Sequence, residues 1–246
     1  MLRRLRELEG WTVTARDGNV GSLNDFCFDD RDWAIRYLVV DTGNWLTGRS
    51  VLISPMSFEV IDWDRHLITV NLTRDEVERS PSTDVTKPVS RQYEAQYLTY
   101  FGYPYYWTGA AVWGVAPSPL GIPRATARRE PEPVEQSTHL RSVREVSGYH
   151  IAAVDGEIGH VENFFFDDHS WSIRYLIVDT SNWIGGRLVL VSREWVSRVE
   201  WPRQVIHVNL PRQLIAESPT YDQGELLDRA YEERLHSHYA RAGHRG

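Results

Sequence analysis

Two copies of one segment, at a constant offset of 138 residues, constrain this chain more than any other feature. Residues 33–49 read WAIRYLVVDTGNWLTGR and residues 171–187 read WSIRYLIVDTSNWIGGR. Gly10 matches Gly148, Asp17-Gly18 matches Asp155-Gly156, Trp63 matches Trp201 and Ser80-Pro81 matches Ser218-Pro219, with no insertion between them. About 33 of the 72 aligned positions over residues 10–81 are identical, so both copies must fold into the same unit. The register continues through Arg91/Arg229 and Tyr93-Glu94/Tyr231-Glu232. This divides the 246 residues into a module over 1–104, a Pro-rich linker over 105–138 and a second module over 139–242, each able to bury a modest core.

The pattern inside one copy is that of short strands. Residues 8–15 predict a first strand, and Asp17-Gly18 a hairpin turn, because these residues accept the positive φ of a primed turn. Residues 20–28 predict a second strand with Phe26 and Phe28 on one face. Residues 33–41 form the predicted central strand, apolar on both faces except for Arg36, and in the second copy Arg174. A strand apolar on both sides requires cover on both, one from a barrel interior and one from a helix or the other module. Residues 51–53, 58–61 and 67–72 predict three more short strands. Thr73-Arg74-Asp75-Glu76 fits a capping box opening a short helix, with Pro211 at the first helical position in the second copy. Residues 90–101 and 228–239 predict a longer, aromatic helix. The fold class expected is mainly β: two small tandem β-barrels, each followed by short α-helices.

Composition narrows the function. A net charge of −7 disfavours nucleic acid as the main partner, since that binding needs clustered Lys and Arg. Cys27 is the single cysteine, which excludes an intrachain disulfide and gives no sign of an oxidising compartment. The basic start lacks the apolar core of a secretory signal, and the most apolar loop segment, residues 109–116, is far too short to span a bilayer. The expectation is a soluble, cytoplasmic protein with no membrane span.

The runs DGNVGSLNDFCFDDRDWAIRYLVVDTGNWLTGRSVLISP and DGEIGHVENFFFDDHSWSIRYLIVDTSNWIGGRLVLVS resemble the PRC-barrel family. The matching motifs are the D-G-x-[VI]-G hairpin, the F-x-F-D-D strand end, the I-R-Y-L strand and the G-R-x-V-L-[IV]-S strand. The family takes its name from the cytoplasmic domain of the photosynthetic reaction-centre H subunit, and a related barrel forms half of a bacterial 16S rRNA maturation factor. The resemblance implies two PRC-like β-barrels serving as docking or assembly surfaces, with no family-wide catalytic residues.

Candidate interaction residues fall in three places. The loop after the central strand offers Asp41, Asn44, Trp45 and Arg49, and in the second copy Asp179, Asn182, Trp183 and Arg187. Asp41 could pair with Arg49 or Arg36, with Trp45 exposed as an interface anchor; the alternative is that Asp and Asn shape the turn while the tryptophans plug the barrel. Arg36 and Arg174 interrupt the central strands. The stretch YLTYFGYPYYW at residues 97–107 offers Tyr103, Tyr105, Tyr106 and Trp107, either as an exposed patch for a protein or membrane interface or folded back over the first barrel. Asp29-Asp30 and Asp167-Asp168 read as solvated turns, His236 and His238 as a frayed helix end, and Cys27 as a core filler.

No Ser-His-Asp set, phosphate-cradling glycine loop or metal-ligand spacing is present in the sequence, so no catalytic residue, cofactor or metal is expected. The leading expectation is a non-enzymatic protein–protein adaptor that binds a protein partner, or itself as a homo-oligomer, with the modules packed through their central strands. An accessory or assembly factor of a photosynthetic or respiratory membrane complex is the second reading, and an RNA or ribosome maturation factor the third.

Overall fold

The structure is a computed structural model that describes residues 1–46, 48–82, 84, 88–124, 138–181, 186–222 and 227–240. In chain order the strands and helices of the first half are β1 (Leu2–Arg4), β2 (Thr12–Ala15), β3 (Gly18–Asp29), β4 (Ile35–Asp41), β5 (Ser50–Ile53), β6 (Phe58–Asp62), β7 (Leu67–Val70), α1 (Arg74–Glu78), β8 (Val89–Ser90) and α2 (Arg91–Phe101). Those of the second half are β9 (Thr138–Ser142), α3 (Val143–Val146), β10 (His150–Ala153), β11 (Gly156–Asp167), β12 (Ser172–Asp179), β13 (Leu188–Ser192), β14 (Val196–Glu200), β15 (Val205–Val208), α4 (Arg212–Ala216) and α5 (Arg229–Ala240). The protein is mainly β, as its pattern requires.

Two compact units emerge, and their edges do not follow the repeat boundaries. The first unit comprises residues 8–144 with 169–172, and the second comprises 1–7, 145–168 and 173–246. In the first, the sheet runs β5-β4-β3-β2-β7-β6; in the second it runs β13-β12-β11-β10-β15-β14, the same order. Each is an open path with one parallel pair, β2 with β7 or β10 with β15, in an otherwise antiparallel arrangement. The strand preceding each repeat belongs to the other repeat's sheet. β1 pairs with β11, Arg3 opposite Phe166, and β9 pairs with β3, Arg141 opposite Phe28. An aspartate holds each exchanged arginine: Asp168 lies 2.9 Å from Arg3 and Asp30 lies 3.3 Å from Arg141.

Local chemistry explains most boundaries. The capping box forms, with Glu76 N donating to Thr73 Oγ1 at 3.2 Å and Thr73 N donating to Glu76 Oε2 at 2.8 Å. In the second copy Pro211 is the cap itself and the helix begins at Arg212, one residue later than predicted. The central strand starts at Ile35, not at residue 33, because Trp33 sits at φ 56° and Trp171 at φ 54°, a left-handed conformation that no strand contains. Trp171 is fully buried in the first unit, edge-on to Phe58 at 4.9 Å, and its carbonyl accepts from Ile35 N at 2.8 Å.

Strand β4 is buried along both faces from Ile35 to Val40. On one face Tyr37 meets Tyr97 of α2 edge-on at 4.9 Å, so the helix supplies the cover that the two-faced apolar pattern demands. Of the predicted linker, residues 125–137 lie outside the described residues, whereas residues 105–124 pack within the first unit rather than running as an extended spacer. Trp113 is fully buried there, and Arg124 bonds Phe101 O at 2.8 Å and Glu76 at 2.7 Å.

Candidate interaction surface

The loop between β4 and β5 is built around a glycine and a tryptophan. Gly21, at φ 155°, faces the carbonyl of Asp41 so closely that a Cβ there would fall 1.9 Å from that oxygen; the equivalent distance from Gly159 to Asp179 O is 2.0 Å. This is why the hairpin motif ends in glycine: the second strand must pass directly beneath the loop. Asp41 does not pair with Arg49 or Arg36. Its Oδ1 accepts from Gly43 N at 2.9 Å, and Thr42 Oγ1 donates to Arg49 O at 2.6 Å, closing the loop on itself. Arg49 instead reaches Glu78 O at 3.3 Å.

Trp45 is half-buried, so the turn-shaping alternative describes it better than an exposed anchor does. Its Nε1 donates to Val20 O at 2.6 Å, and the Arg74 guanidinium lies 4.3 Å over its ring. Asp41 and Asn44 remain exposed above this base. The second loop repeats the closure: Ser181 N donates to Asp179 Oδ1 at 2.7 Å, Thr180 Oγ1 to Arg187 O at 3.0 Å, and Arg187 to Thr220 Oγ1 at 3.2 Å. Asn182 and Trp183 lie outside the described residues.

Arg36, Tyr103 and Tyr106 are buried, and the expectation of surface contact at these residues is corrected. Arg36 is 1% exposed and sits in a cluster of charges under aromatic rings. Its Nη1 donates to Val112 O at 2.6 Å and its Nη2 to Asp32 at 3.0 Å, while Asp29 lies 3.8 Å from Nε. The Tyr106 ring covers the guanidinium at 3.6 Å and the Trp113 ring at 4.9 Å. The face of each ring carries the negative quadrupole that a cation seeks, and desolvation strengthens the attraction.

Helix α2 brings Arg91 and Glu94 to the same place. Arg91 lies 3.7 Å from Asp29 and 3.1 Å from Glu94, and donates to Tyr106 Oη at 2.6 Å. Tyr106 Oη in turn donates to Glu94 Oε1. Burial pushes the Glu94 carboxyl up to about 7, although Arg91 and the Tyr106 hydroxyl pull it down. Asp29, read from sequence as a solvated turn, is therefore a buried counter-ion for two arginines, although its Oδ1 still accepts from Arg31 N at 2.9 Å in turn fashion. Tyr105 and Trp107 are half-buried and stack face to face at 4.9 Å, with Trp107 lying 4.3 Å from the Arg91 guanidinium.

Among its described residues the second unit carries no such cover. Arg174, the counterpart of Arg36, is exposed. Glu232, the counterpart of Glu94, accepts from Tyr175 Oη at 2.8 Å, and His236 Nε2 lies 3.0 Å from the same hydroxyl. His238 bonds Leu214 O at 2.8 Å, so both histidines are tied into a regular helix rather than a frayed end. Among the described residues no group of three or more His, Cys, Asp or Glu side chains is placed to hold a metal ion. No described helix is long and apolar enough to cross a membrane.

The first unit is thus an open β sheet whose D-G-x-V-G hairpin passes under a closed loop. Residues 2–77 match the PRC-barrel domain. The match runs from β1 through most of α1, so it contains the whole six-strand path of the first unit. PRC-barrel domains are general protein-interaction modules. The sheet of the second unit has the same strand order as the matched one. No curated protein matches the chain.

Proposed function

We propose that this chain is a non-enzymatic adaptor that uses its PRC-barrel units to assemble a protein complex. The observation that carries the reading is the loop after the central strand. Its backbone is closed by its own Asp and Thr side chains and its Trp is anchored beneath, so Asp41 and Asn44 are presented on a rigid base. A surface ordered before binding loses little entropy on binding, which is what a docking loop needs. The loop serves recognition rather than catalysis: the Asp41 carboxylate is already spent on the Gly43 main-chain N–H, and among the described residues no base or nucleophile converges on it.

Two observations weigh against the alternatives. The aromatic stretch that would dock on a membrane complex has Tyr103 and Tyr106 buried, and the net charge of −7 opposes an RNA backbone. The test is affinity purification of the tagged full chain from its own cells after cross-linking, for wild type and Asn44→Arg. A defined set of proteins, or the chain itself, should co-elute with wild type and be lost with the variant, while the thermal midpoint is unchanged. Identical recovery from both, or nothing above the tag control, refutes the reading.

A further inference from the structure

The same Ile-Arg-Tyr-Leu strand occurs twice, and only one of its arginines is covered. In the first unit Arg36 is capped by Tyr106 and Trp113, bonded to Val112 O and paired with Asp32. In the second unit every counterpart is more open. Arg174 is exposed where Arg36 is 1% exposed, and the Arg229 side chain is 91% exposed where that of Arg91 is 7%. Asp32 is replaced by Ser170, which removes the carboxylate four residues before the arginine. The positions that align with Tyr105, Tyr106 and Trp107 are Gly243, His244 and Arg245, none of them Tyr or Trp, and they lie outside the described residues.

We propose that the Arg174 face of the second unit is a docking site for an aromatic turn of a partner protein, a segment bearing Tyr and Trp that lays a ring over the guanidinium and offers it a main-chain carbonyl. The inference rests on the protein-interaction reading and names the partner's chemistry. Its template is internal: the segment ending at Trp113 shows what satisfies an arginine on this strand when it is taken from water. A guanidinium is suited to this, because it is planar, weakly hydrated and donates from its edge while stacking through its face. An acidic partner fits less well. Arg229 is already paired with Glu233 at 3.1 Å, and Glu232 stands on the same helix.

The test uses the full chain and a fluorescent synthetic peptide with the sequence of residues 103–113, YPYYWTGAAVW, titrated by anisotropy. Wild type should bind it weakly but saturably. Arg174→Ala should weaken binding at least tenfold with the thermal midpoint unchanged, because an exposed side chain contributes little to the fold. Arg79→Ala, a control at a side chain that is 72% exposed in the first unit, should leave binding unchanged. Absence of saturable binding, equal binding by Arg174→Ala, or equal binding of a peptide with its Tyr and Trp changed to Ser overturns the proposal. Stronger competition from an acidic peptide of equal length also overturns it and assigns the face to anions. None of these outcomes touches the loss of co-eluting proteins on Asn44→Arg, so the docking inference and the adaptor reading fail separately.

Discussion

Glu94→Gln should make the protein more stable above neutral pH, although it removes a charge from an ion cluster. Glu94 is fully buried, and burial lifts its carboxyl from 4.5 to about 7, outweighing the attraction of Arg91 and the Tyr106 hydroxyl. A carboxyl whose folded value exceeds its unfolded value is an acid that folding prefers to keep protonated. Below pH 4.5 both states hold the proton and the group costs nothing. Between 4.5 and 7 the unfolded chain releases its proton first, and stability falls. Above 7 both are ionised and the cost is complete. A difference of about 2.5 pH units corresponds to roughly 3 kcal/mol, at about 1.4 kcal/mol per unit.

Glutamine keeps an oxygen to accept from Tyr106 and imitates the neutral acid. The variant should therefore match wild type near pH 4.5 and exceed it by about 3 kcal/mol at pH 8, roughly 6–12 °C in midpoint for a domain of this size. Urea unfolding followed by tryptophan fluorescence at pH 5, 6, 7 and 8 measures this directly. The two proteins differ only at residue 94, so the difference between the two profiles reports the loss of its ionisation within the cluster. Parallel profiles, or a variant less stable at pH 8, would refute the reasoning and show that the negative charge of Glu94 is needed to hold Arg91.

Two further expectations follow from close packing. Gly21→Ala and Gly159→Ala should each cost several kcal/mol, since the new Cβ would stand 1.9 Å and 2.0 Å from a loop carbonyl; denaturant midpoints of the single variants measure this, and a loss below about 1 kcal/mol contradicts the close approach. Cys27 is buried and its thiol is raised far above the usual range, by burial first and by Asp25 and Glu94 after it. A thiol reagent should modify it at the global unfolding rate only, and rapid labelling of native protein would contradict its burial.

The parts of the fold legible in the sequence are those governed by neighbours in the chain. The 138-residue offset, the Asp-Gly hairpins, the Thr73 capping box and the alternation of Phe26 and Phe28 are local signals, and the structure places strands, turns and a helix cap there. The exchange of β1 and β9 was not legible. Leu2-Arg3-Arg4 is three residues with no alternation to read, and its partner strand lies some 160 residues away. The buried ion cluster was half legible. An arginine in an otherwise apolar strand requires a counter-charge, but Asp29-Asp30 carries the stronger signature of a turn. Arg91 and Glu94 look like the wet side of an aromatic helix until the residues after Gly102 close over them. Arg36 was the signal, and its partners could be found only by asking which carboxylates folding brings to it.

The two copies of the strand also show how a repeat acquires two roles without changing its core. In the first unit Glu94 is drawn toward Tyr106, and the Tyr37 hydroxyl is left buried without a hydrogen-bond partner. In the second, where the position aligned with Tyr106 is His244, Glu232 takes the hydroxyl of Tyr175 instead. The strand, the glutamate and the arginine are the same; what differs is the sequence beyond the helix. Those residues complete the first unit internally, at the cost of an ionisable group held far from its ordinary range. The second unit keeps its arginine in water. An unsatisfied buried polar group costs about 1–3 kcal/mol, so cover that leaves Tyr37 unpaired must be offset by the rings stacked on Arg36 and the bond to Val112. If that balance is correct, Tyr106→Ala, which removes both the ring over Arg36 and the hydroxyl that holds Glu94, should free Glu94 to bond Tyr37, and a crystal structure of the variant should show the first unit resembling the second at this site.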